Sequence, residues 1–403
     1  MKILVVVGAR PNFMKAAPIL NAVGEFNAIR GEWTESLQAV LVHTGQHYDT
    51  KMSDAFFADL DIPQPDVFLS AGSGSHAGQT AEVMKRFEPV LLAEKPDALV
   101  VVGDVNSTLA GALVAAKLPP KTKPLIVHIE AGLRSFDRSM PEEINRILTD
   151  RLSDLLFVTE ESGIRNLRAE GIARERTFLV GNTMIDSLRQ HETKADESGV
   201  LGRYALRKGD YALLTLHRAA NVDEPANFIE ILEGLRELAE TCPIIFPAHP
   251  RTQKQIRESG LERFLSGSHE NPGIQMIEPQ GYLDFVCLMK HARLVATDSG
   301  GVQEETTALR VPCVTLRDNT ERPVTIECGT NVLGGTTRDS IVQAIRKQLS
   351  RRQRTEIPDL WDGRAASRIV GILAERLMHN SHLPVPSASR DALALSASAS
   401  GQI

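Results

Sequence analysis

Three carboxylates stand in short polar stretches, two of them just past apolar runs. Asp104 lies in Gly103-Asp-Val-Asn-Ser107, Glu130 in His128-Ile-Glu-Ala-Gly-Leu-Arg134, and Glu142 in Pro141-Glu-Glu-Ile-Asn-Arg146. A charge just past a buried strand is costly unless it has a partner or a task, so the set suggests acid–base work. Each residue also has a plainer reading. Asp104 suits a helix cap, and Glu142 in a helix first turn compensates the helix dipole. His217, before Arg218 in Thr215-Leu-His-Arg218, would by itself be read as structural.

A second group of residues suits an anion. Gly8-Ala-Arg-Pro-Asn-Phe-Met-Lys15 leaves an apolar run, and a helix begins near Pro11. Arg10 and Lys15 then flank a helix N-terminus, where anions are favoured. Asp298-Ser-Gly-Gly-Val-Gln-Glu-Glu305 reads strand, Gly-Gly turn, helix. Backbone N–H groups at Ser299, Gly300 and Gly301 can approach a diphosphate closely, because glycine has no side chain to keep it away. Glu305 in the same helix suits ribose hydroxyls, and Arg322 suits a charge-assisted bond to phosphate. Gln280 and Phe285 offer an amide and an aromatic face for a base. There is neither a G-x-G-x-x-G nor a G-K-[ST] signature, so neither dinucleotide nor P-loop binding is indicated.

These residues need strand ends to hold them. Residues 3–7, 40–43, 98–102, 125–129, 155–158 and 178–180 are apolar, β-branched runs, with helical spacing over 15–26 and 108–117. Continuous apolar strands separated by helices imply a parallel sheet covered on both faces. The pattern restarts with strands at 212–216, 244–246, 294–296 and 313–316 and a helix over 229–240. Residues 187–209 are charged and weakly patterned, and are expected to hold the crossover. An amphipathic helix spans 362–377, and the Ser- and Ala-rich stretch after Pro384 is expected to be disordered. The fold class is therefore α/β, doubly wound, with ligands beyond the carboxyl ends of the strands.

The bulk properties agree. A chain of 403 residues is long enough for about two domains. Its net charge of −6 argues against a nucleic-acid coat, but not against a local basic pocket. The opening apolar run is short, ends at Arg10 and reads as a first strand, and nothing approaches the ~20 apolar residues of a membrane helix. Four cysteines without metal-ligand spacing suggest reduced, mostly buried thiols in a cytoplasmic protein. The histidines form no metal-binding signature, and no nicotinamide fingerprint appears, so neither metal nor cofactor is expected.

Taken together, the motifs resemble those of the non-hydrolysing UDP-N-acetylglucosamine 2-epimerases. The matching segments are Gly8–Lys15, Thr44-Gly-Gln-His47, Gly103-Asp104, His128–Arg134, Pro141–Arg146, His217-Arg218, Asp298–Glu305 and Glu321-Arg-Pro323. They occur in family order over about 2–377. The resemblance implies a glycosyltransferase-B-like fold: two Rossmann-like domains with the active site in the cleft between them. The expected domains are 1–187, rejoined by helix 362–378, and a UDP-binding domain, 188–361, with a tail over 384–403.

It further implies a homodimer that interconverts UDP-GlcNAc and UDP-ManNAc for surface polysaccharide precursors. Members eliminate UDP to form 2-acetamidoglucal, then add it back with the C2 proton on the other face. By match, Asp104, Glu130 and Glu142 are the candidate acid–base carboxylates, assisted by His217. Arg10, Lys15, Ser299, Gly300, Gly301 and Arg322 would hold the diphosphate, Gln280 and Phe285 the uracil, and Glu305 the ribose.

Two positions depart from the family pattern: Ala220 and Val324 stand where many members carry Glu. Some relatives bind a second UDP-GlcNAc as an activator, and Gln46, Arg218 and His249 are the candidates to contribute to such a site here. The alternatives are an epimerase of a modified UDP-sugar, such as a diacetamido uronic acid, and a glycosyltransferase of the same fold.

Overall fold

In a computed structural model of the chain, residues 1–30, 36–45, 63–265, 272–350 and 356–381 are described. The strands of the first lobe are β1 (Lys2–Val7), β2 (Gln38–His43), β3 (Val67–Phe68), β4 (Ala98–Val102), β5 (Leu125–Ala131), β6 (Leu155–Val158) and β7 (Thr177–Leu179). They form one sheet in the order β3-β2-β1-β4-β5-β6-β7, with every pairing parallel. The second lobe holds β8 (Ala212–Thr215), β9 (Ile244–Pro247), β10 (Ile274–Ile277), β11 (Leu294–Thr297), β12 (Cys313–Thr315) and β13 (Asn331–Leu333). Its order is β10-β9-β8-β11-β12-β13, again all parallel.

The longer helices of the first lobe are α1 (Arg10–Arg30), α2 (His76–Glu94), α3 (Asn106–Lys117), α4 (Pro141–Leu152), α5 (Glu161–Ala169) and α6 (Thr183–Asp196). Those that follow are α7 (Pro225–Ala239), α8 (Pro250–Glu258), α9 (Tyr282–Lys290), α10 (Gly300–Leu309), α11 (Arg338–Ser350) and α12 (Ala365–Ser381). Proline opens α4, α7 and α8, where its missing N–H has no intrahelical partner to lose. The central strands are buried on both faces, as their uninterrupted apolar runs require.

Both sheets reverse their winding beside the first strand, between β1 and β4 and between β8 and β11. A crevice for ligands opens at such switch points. The glycosyltransferase-B-like arrangement of two Rossmann-like sheets is the one observed.

Two differences from the sequence reading are informative. Residues 187–196 of the expected crossover are helical, within α6, and Ile185, Leu188 and Ala195 of that helix are buried. The strands β3, β10 and β13 went unread; all three are sheet edges.

One apolar cluster runs from β1 (Ile3, Val5) through Ile19, Ile185, Leu188, Ile369 and Val370 to Leu213 and Val295 of the second sheet. Thus α6 and α12 join the lobes, and α12 packs on α1 and α6. The returning chain is tied down by polar contacts. Trp361 Nε1 donates to the Thr159 carbonyl at 3.0 Å, and Asp186 accepts from the N–H groups of Ala365 and Ala366 at 3.1 and 2.7 Å. The residues beyond 381, with the expected tail, lie outside the described set.

Candidate active site

The loops leaving β4 and β5 meet those leaving β8, β11 and β12. Glu130 occupies the next-to-last position of β5 with φ +72°, where pairing with β6 slips between Ile129 and Ala131. A non-glycine residue at such a φ is strained by about 1–3 kcal/mol and needs surroundings that hold it. Here the bulge turns the side chain into the cleft. The buried carboxylate pairs with Lys15 Nζ on one oxygen and with Arg322 Nη2 on the other, the latter at 2.7 Å. Lys15 belongs to α1 and Arg322 to the loop after β12, so this bridge spans both lobes.

Arg322 is itself buried and touches two more carboxylates, Glu304 at 2.8 Å and Glu321 at 2.5 Å. Burial lowers its affinity for the proton. The charges of Glu304, Glu321, Glu130 and Asp104 outweigh that and hold it well above the usual arginine value. Glu321 also pairs with Arg317 at 2.8 Å. Its burial pushes the carboxyl up, but Arg322, Arg317, Arg146 and Arg218 hold it well below the ordinary range. Glu304 is fully buried and goes the other way: desolvation raises its carboxyl despite Arg322.

Asp104 follows the φ +68° turn at Gly103. Arg146 grips its Oδ2 with Nε at 3.0 Å and Nη2 at 2.6 Å, and Asn145 holds its carbonyl at 2.9 Å. Burial pushes the Asp104 carboxyl up; Arg146, Lys15 and Arg322 outweigh it and leave a stable carboxylate. Glu142 lies in the first turn of α4, half-buried, close enough for its charge to act on Arg218. Its neighbour Glu143 is buried instead, accepting from the Ser135 and Phe136 N–H groups at 3.0 Å and pairing with Arg146 at 2.7 Å.

The second lobe supplies a dyad. His217 Nδ1 lies 2.8 Å from Oδ1 of Asp298, which is fully buried, while the imidazole is 58% exposed and open to a ligand. Asp298 also accepts from the His217 and Arg218 N–H groups and from Asn221 Nδ2. Desolvation pushes its carboxyl up, but His217 and these bonds hold it low. An ionised Asp298 makes Nδ1 a donor and leaves Nε2 free for proton transfer.

Arg10 is the first residue of α1, and its side chain is outside the described set. Ser299 precedes α10, and its N–H already donates to Thr297 Oγ1 at 3.0 Å. Gly300 and Gly301 open α10, where first-turn N–H groups lack intrahelical acceptors. A Cβ at Gly300 would collide with the Arg322 guanidinium, so glycine is needed to let Arg322 approach. Glu305 is buried and accepts from Tyr282 Oη at 3.2 Å. Gln280 donates to Tyr204 Oη at 3.0 Å, and Phe285 is half-buried on α9. Arg218 donates to the Asp298 carbonyl at 3.0 Å and approaches Met140 Sδ at 3.8 Å. His249 caps α8, and Gln46 lies outside the described residues.

Sequence reasoning gave no role to Arg146, Asp298, Glu304 or Glu321, although each stands inside a quoted motif. The available signal was adjacency: Glu143 and Arg146 at i,i+3 on one helix, and Glu321 beside Arg322. The expected basic pocket is a cluster of both signs. Among the described residues, no group of three or more His, Cys, Asp or Glu could hold a metal ion, and no helix is long and apolar enough to cross a membrane. The four cysteines are unpaired: Cys242, Cys287 and Cys313 are buried and Cys328 is half-buried.

Comparison with known proteins agrees with this geometry. The family described as UDP-N-acetylglucosamine 2-epimerase matches residues 31–374. A UDP-N-acetylglucosamine 2-epimerase of Methanocaldococcus jannaschii is 44% identical over 378 residues, covering 93% of this chain and 99% of the relative. A UDP-2,3-diacetamido-2,3-dideoxy-D-glucuronate 2-epimerase of Pseudomonas aeruginosa is 42% identical, covering 93% of this chain and all of the relative. The crystal structure of the M. jannaschii UDP-GlcNAc 2-epimerase in complex with UDP-GlcNAc and UDP superposes with a TM-score of 0.83 at 43% identity, covering 93% of this chain and 100% of that one.

Proposed function

The chain belongs to the UDP-N-acetylglucosamine 2-epimerase family, and we propose that it interconverts UDP-GlcNAc and UDP-ManNAc. The observation that supports this above others is the bridge Lys15–Glu130–Arg322 across the lobes, with Asp104 in the same charged cluster. In the proposed reaction a base takes the C2 proton, and the C1–O bond to UDP breaks. The two electrons of the C2–H bond form the C1–C2 double bond of 2-acetamidoglucal. UDP then re-adds at C1 while a proton returns to the opposite face of C2. Asp104, Glu130 and Glu142 serve as the acid–base carboxylates, with His217, oriented by Asp298, on the facing lobe. As the diphosphate enters, Lys15 and Arg322 pass from Glu130 to the phosphate oxygens, offsetting the charge of the departing UDP. The first-turn N–H groups of Gly300 and Gly301, with Arg10 and Ser299, complete that site. Gln280 and Phe285 read uracil and Glu305 the ribose.

In this reading the domains divide at about residue 187, α12 (Ala365–Ser381, against the expected 362–378) rejoins the first, and the enzyme works as a cytoplasmic homodimer supplying surface polysaccharide precursors. Gln46, Arg218 and His249 are the candidates for binding an activating nucleotide-sugar.

The test is incubation of UDP-GlcNAc with the enzyme in D2O. Deuterium at C2 of both epimers is the expected result; an unlabelled sugar with UDP-GlcNAc left unchanged would refute it. A second reading, epimerisation of a UDP-diacetamido uronate, is favoured by one observation. The chain is 42% identical over 378 residues to the UDP-2,3-diacetamido-2,3-dideoxy-D-glucuronate 2-epimerase of Pseudomonas aeruginosa. Fast turnover of the uronate with negligible turnover of UDP-GlcNAc would select it.

A further inference from the structure

His128 lies in β5, two residues before Glu130, and is fully buried. Its Nε2 is 2.8 Å from the Gly103 carbonyl oxygen, and its Nδ1 is 2.7 Å from Oδ1 of Asp150. A carbonyl can only accept, and so can an ionised carboxylate. Asp150 is held as a carboxylate by the buried Arg134 guanidinium, which pairs with its other oxygen. Both ring nitrogens therefore donate, and the ring is an imidazolium. The other Asp150 oxygen accepts from the Gly132 N–H at 3.1 Å and pairs with Arg134 Nη2 at 2.7 Å.

One buried carboxylate thus anchors two strand-end loops. Through Gly132 it holds the turn just past Glu130. Through His128 it holds the carbonyl of Gly103, the residue before Asp104. The N–H of Gly103 is clamped from the same strand, by the Ile129 carbonyl at 3.0 Å. The turn lies directly beneath the candidate acid–base groups: a Cβ at Gly103 would come within 3.3 Å of Asn12 Nδ2, 3.4 Å of Lys15 Nζ and 3.5 Å of Glu130 Oε2. A shift of this peptide moves Asp104 relative to Glu130, and misplacement by about 1 Å can cost two orders of magnitude in rate.

We propose that His128, held as an imidazolium by Asp150, is a positioning residue that fixes the spacing of Asp104 and Glu130 for proton transfer at C2. The proposal rests on the epimerase reading above. His128 touches no reacting atom; it acts through the Gly103 carbonyl.

Asparagine and glutamine at this position separate the two bonds. In His128→Asn the amide nitrogen takes the place of Nδ1 and keeps the Asp150 bond, but the Gly103 tether is lost. In His128→Gln the amide nitrogen takes the place of Nε2 and keeps the tether. The expected result for His128→Asn is a fall in kcat for C2 exchange of about 10- to 100-fold, the worth of a charge-assisted hydrogen bond. KM and UDP affinity stay within about threefold. His128→Gln recovers part of kcat. Nitrogen-15 NMR of histidine-labelled wild-type enzyme should show both His128 nitrogens protonated, a result independent of how the variants fold. Exchange at the wild-type rate in His128→Asn overturns the proposal. So does a parallel loss of UDP affinity and kcat, or a singly protonated ring in the wild type. A wild-type enzyme that exchanges no C2 proton overturns the epimerase reading instead, which keeps the two failures distinct.

Discussion

Replacing Arg322 by alanine removes the one cation among the described residues that touches Glu130, Glu304 and Glu321 at once. The three do not suffer equally. Glu130 keeps Lys15, and Glu321 keeps Arg317 at 2.8 Å. Glu304 is fully buried, and no other ion pair to it is seen among the described residues. Breaking a buried pair by removing one partner costs about 3–5 kcal/mol, and most of that falls on Glu304. The cost also depends on pH. Burial already raises the Glu304 carboxyl with Arg322 in place, and without Arg322 it rises further. A group that holds its proton in the folded state and releases it on unfolding makes stability fall as pH rises, by up to about 1.4 kcal/mol per pH unit. Arg322→Ala should therefore be destabilised more at pH 8 than at pH 6, by urea midpoint. Adding Glu304→Gln, which needs no counter-charge, should recover much of the loss. UDP binding, measured by calorimetry in that recovered background, should still be weaker by about 10- to 100-fold, because the charge-assisted bond to phosphate remains absent. A single variant as stable as wild type at both pH values would refute the reasoning. So would a double variant no more stable than the single.

Asp104→Asn should keep UDP affinity and lose C2 exchange by about 100-fold or more, the typical weight of a general acid or base; isotope incorporation and calorimetry on one preparation separate the two. Asp298→Asn should leave His217 without its orienting charge, lowering exchange and moving the pH–rate profile, whereas a profile superposable on wild type would deny the dyad a role. Glu160 is buried beside Ser162, and desolvation pushes its carboxyl from 4.5 up to about 7. Its raised value means that it lowers stability progressively as pH climbs through that window. Glu160→Gln should abolish this slope and gain at most about 3 kcal/mol at pH 8, with little change at pH 4, read from urea midpoints.

The strands and their following loops were legible because each is a local pattern: an apolar run, then a glycine or a charge. Edge strands were not. β3 has two residues and β13 three, and β10, Ile-Gln-Met-Ile, buries only its ends. A short, half-covered edge needs no continuous apolar run, so little of it is written into the sequence. The helix α6 was hidden for a different reason. Charged residues, the buried Asp186 among them, interrupt its apolar spacing, and only its contacts with α1, α9 and α10 show why Met184, Ile185 and Leu188 are buried.

The candidate site divides along the same line. Where a carboxylate would stand was readable; what would neutralise it was not. Asp104 meets Arg146 from 42 positions away, and Glu130 meets Arg322 from 192. No spacing rule reaches that far, and Glu142 and Glu143 carry identical side chains in adjacent places. Helical phase alone leaves Glu142 half-buried and sends Glu143 into the pair with Arg146. The same physics explains why the cleft is not simply basic, as a diphosphate site read from sequence would suggest. A site that must both hold an anion and move a proton needs carboxylates close to cations. In a buried cleft, carboxylates survive as charges only beside a comparable number of guanidinium and ammonium groups. Lys15, Arg146, Arg317 and Arg322 set against Asp104, Glu130, Glu304 and Glu321 meet that requirement. Glu304, whose carboxyl burial raises even so, marks where the balance is tightest, and it is there that the loss of one cation should be felt first.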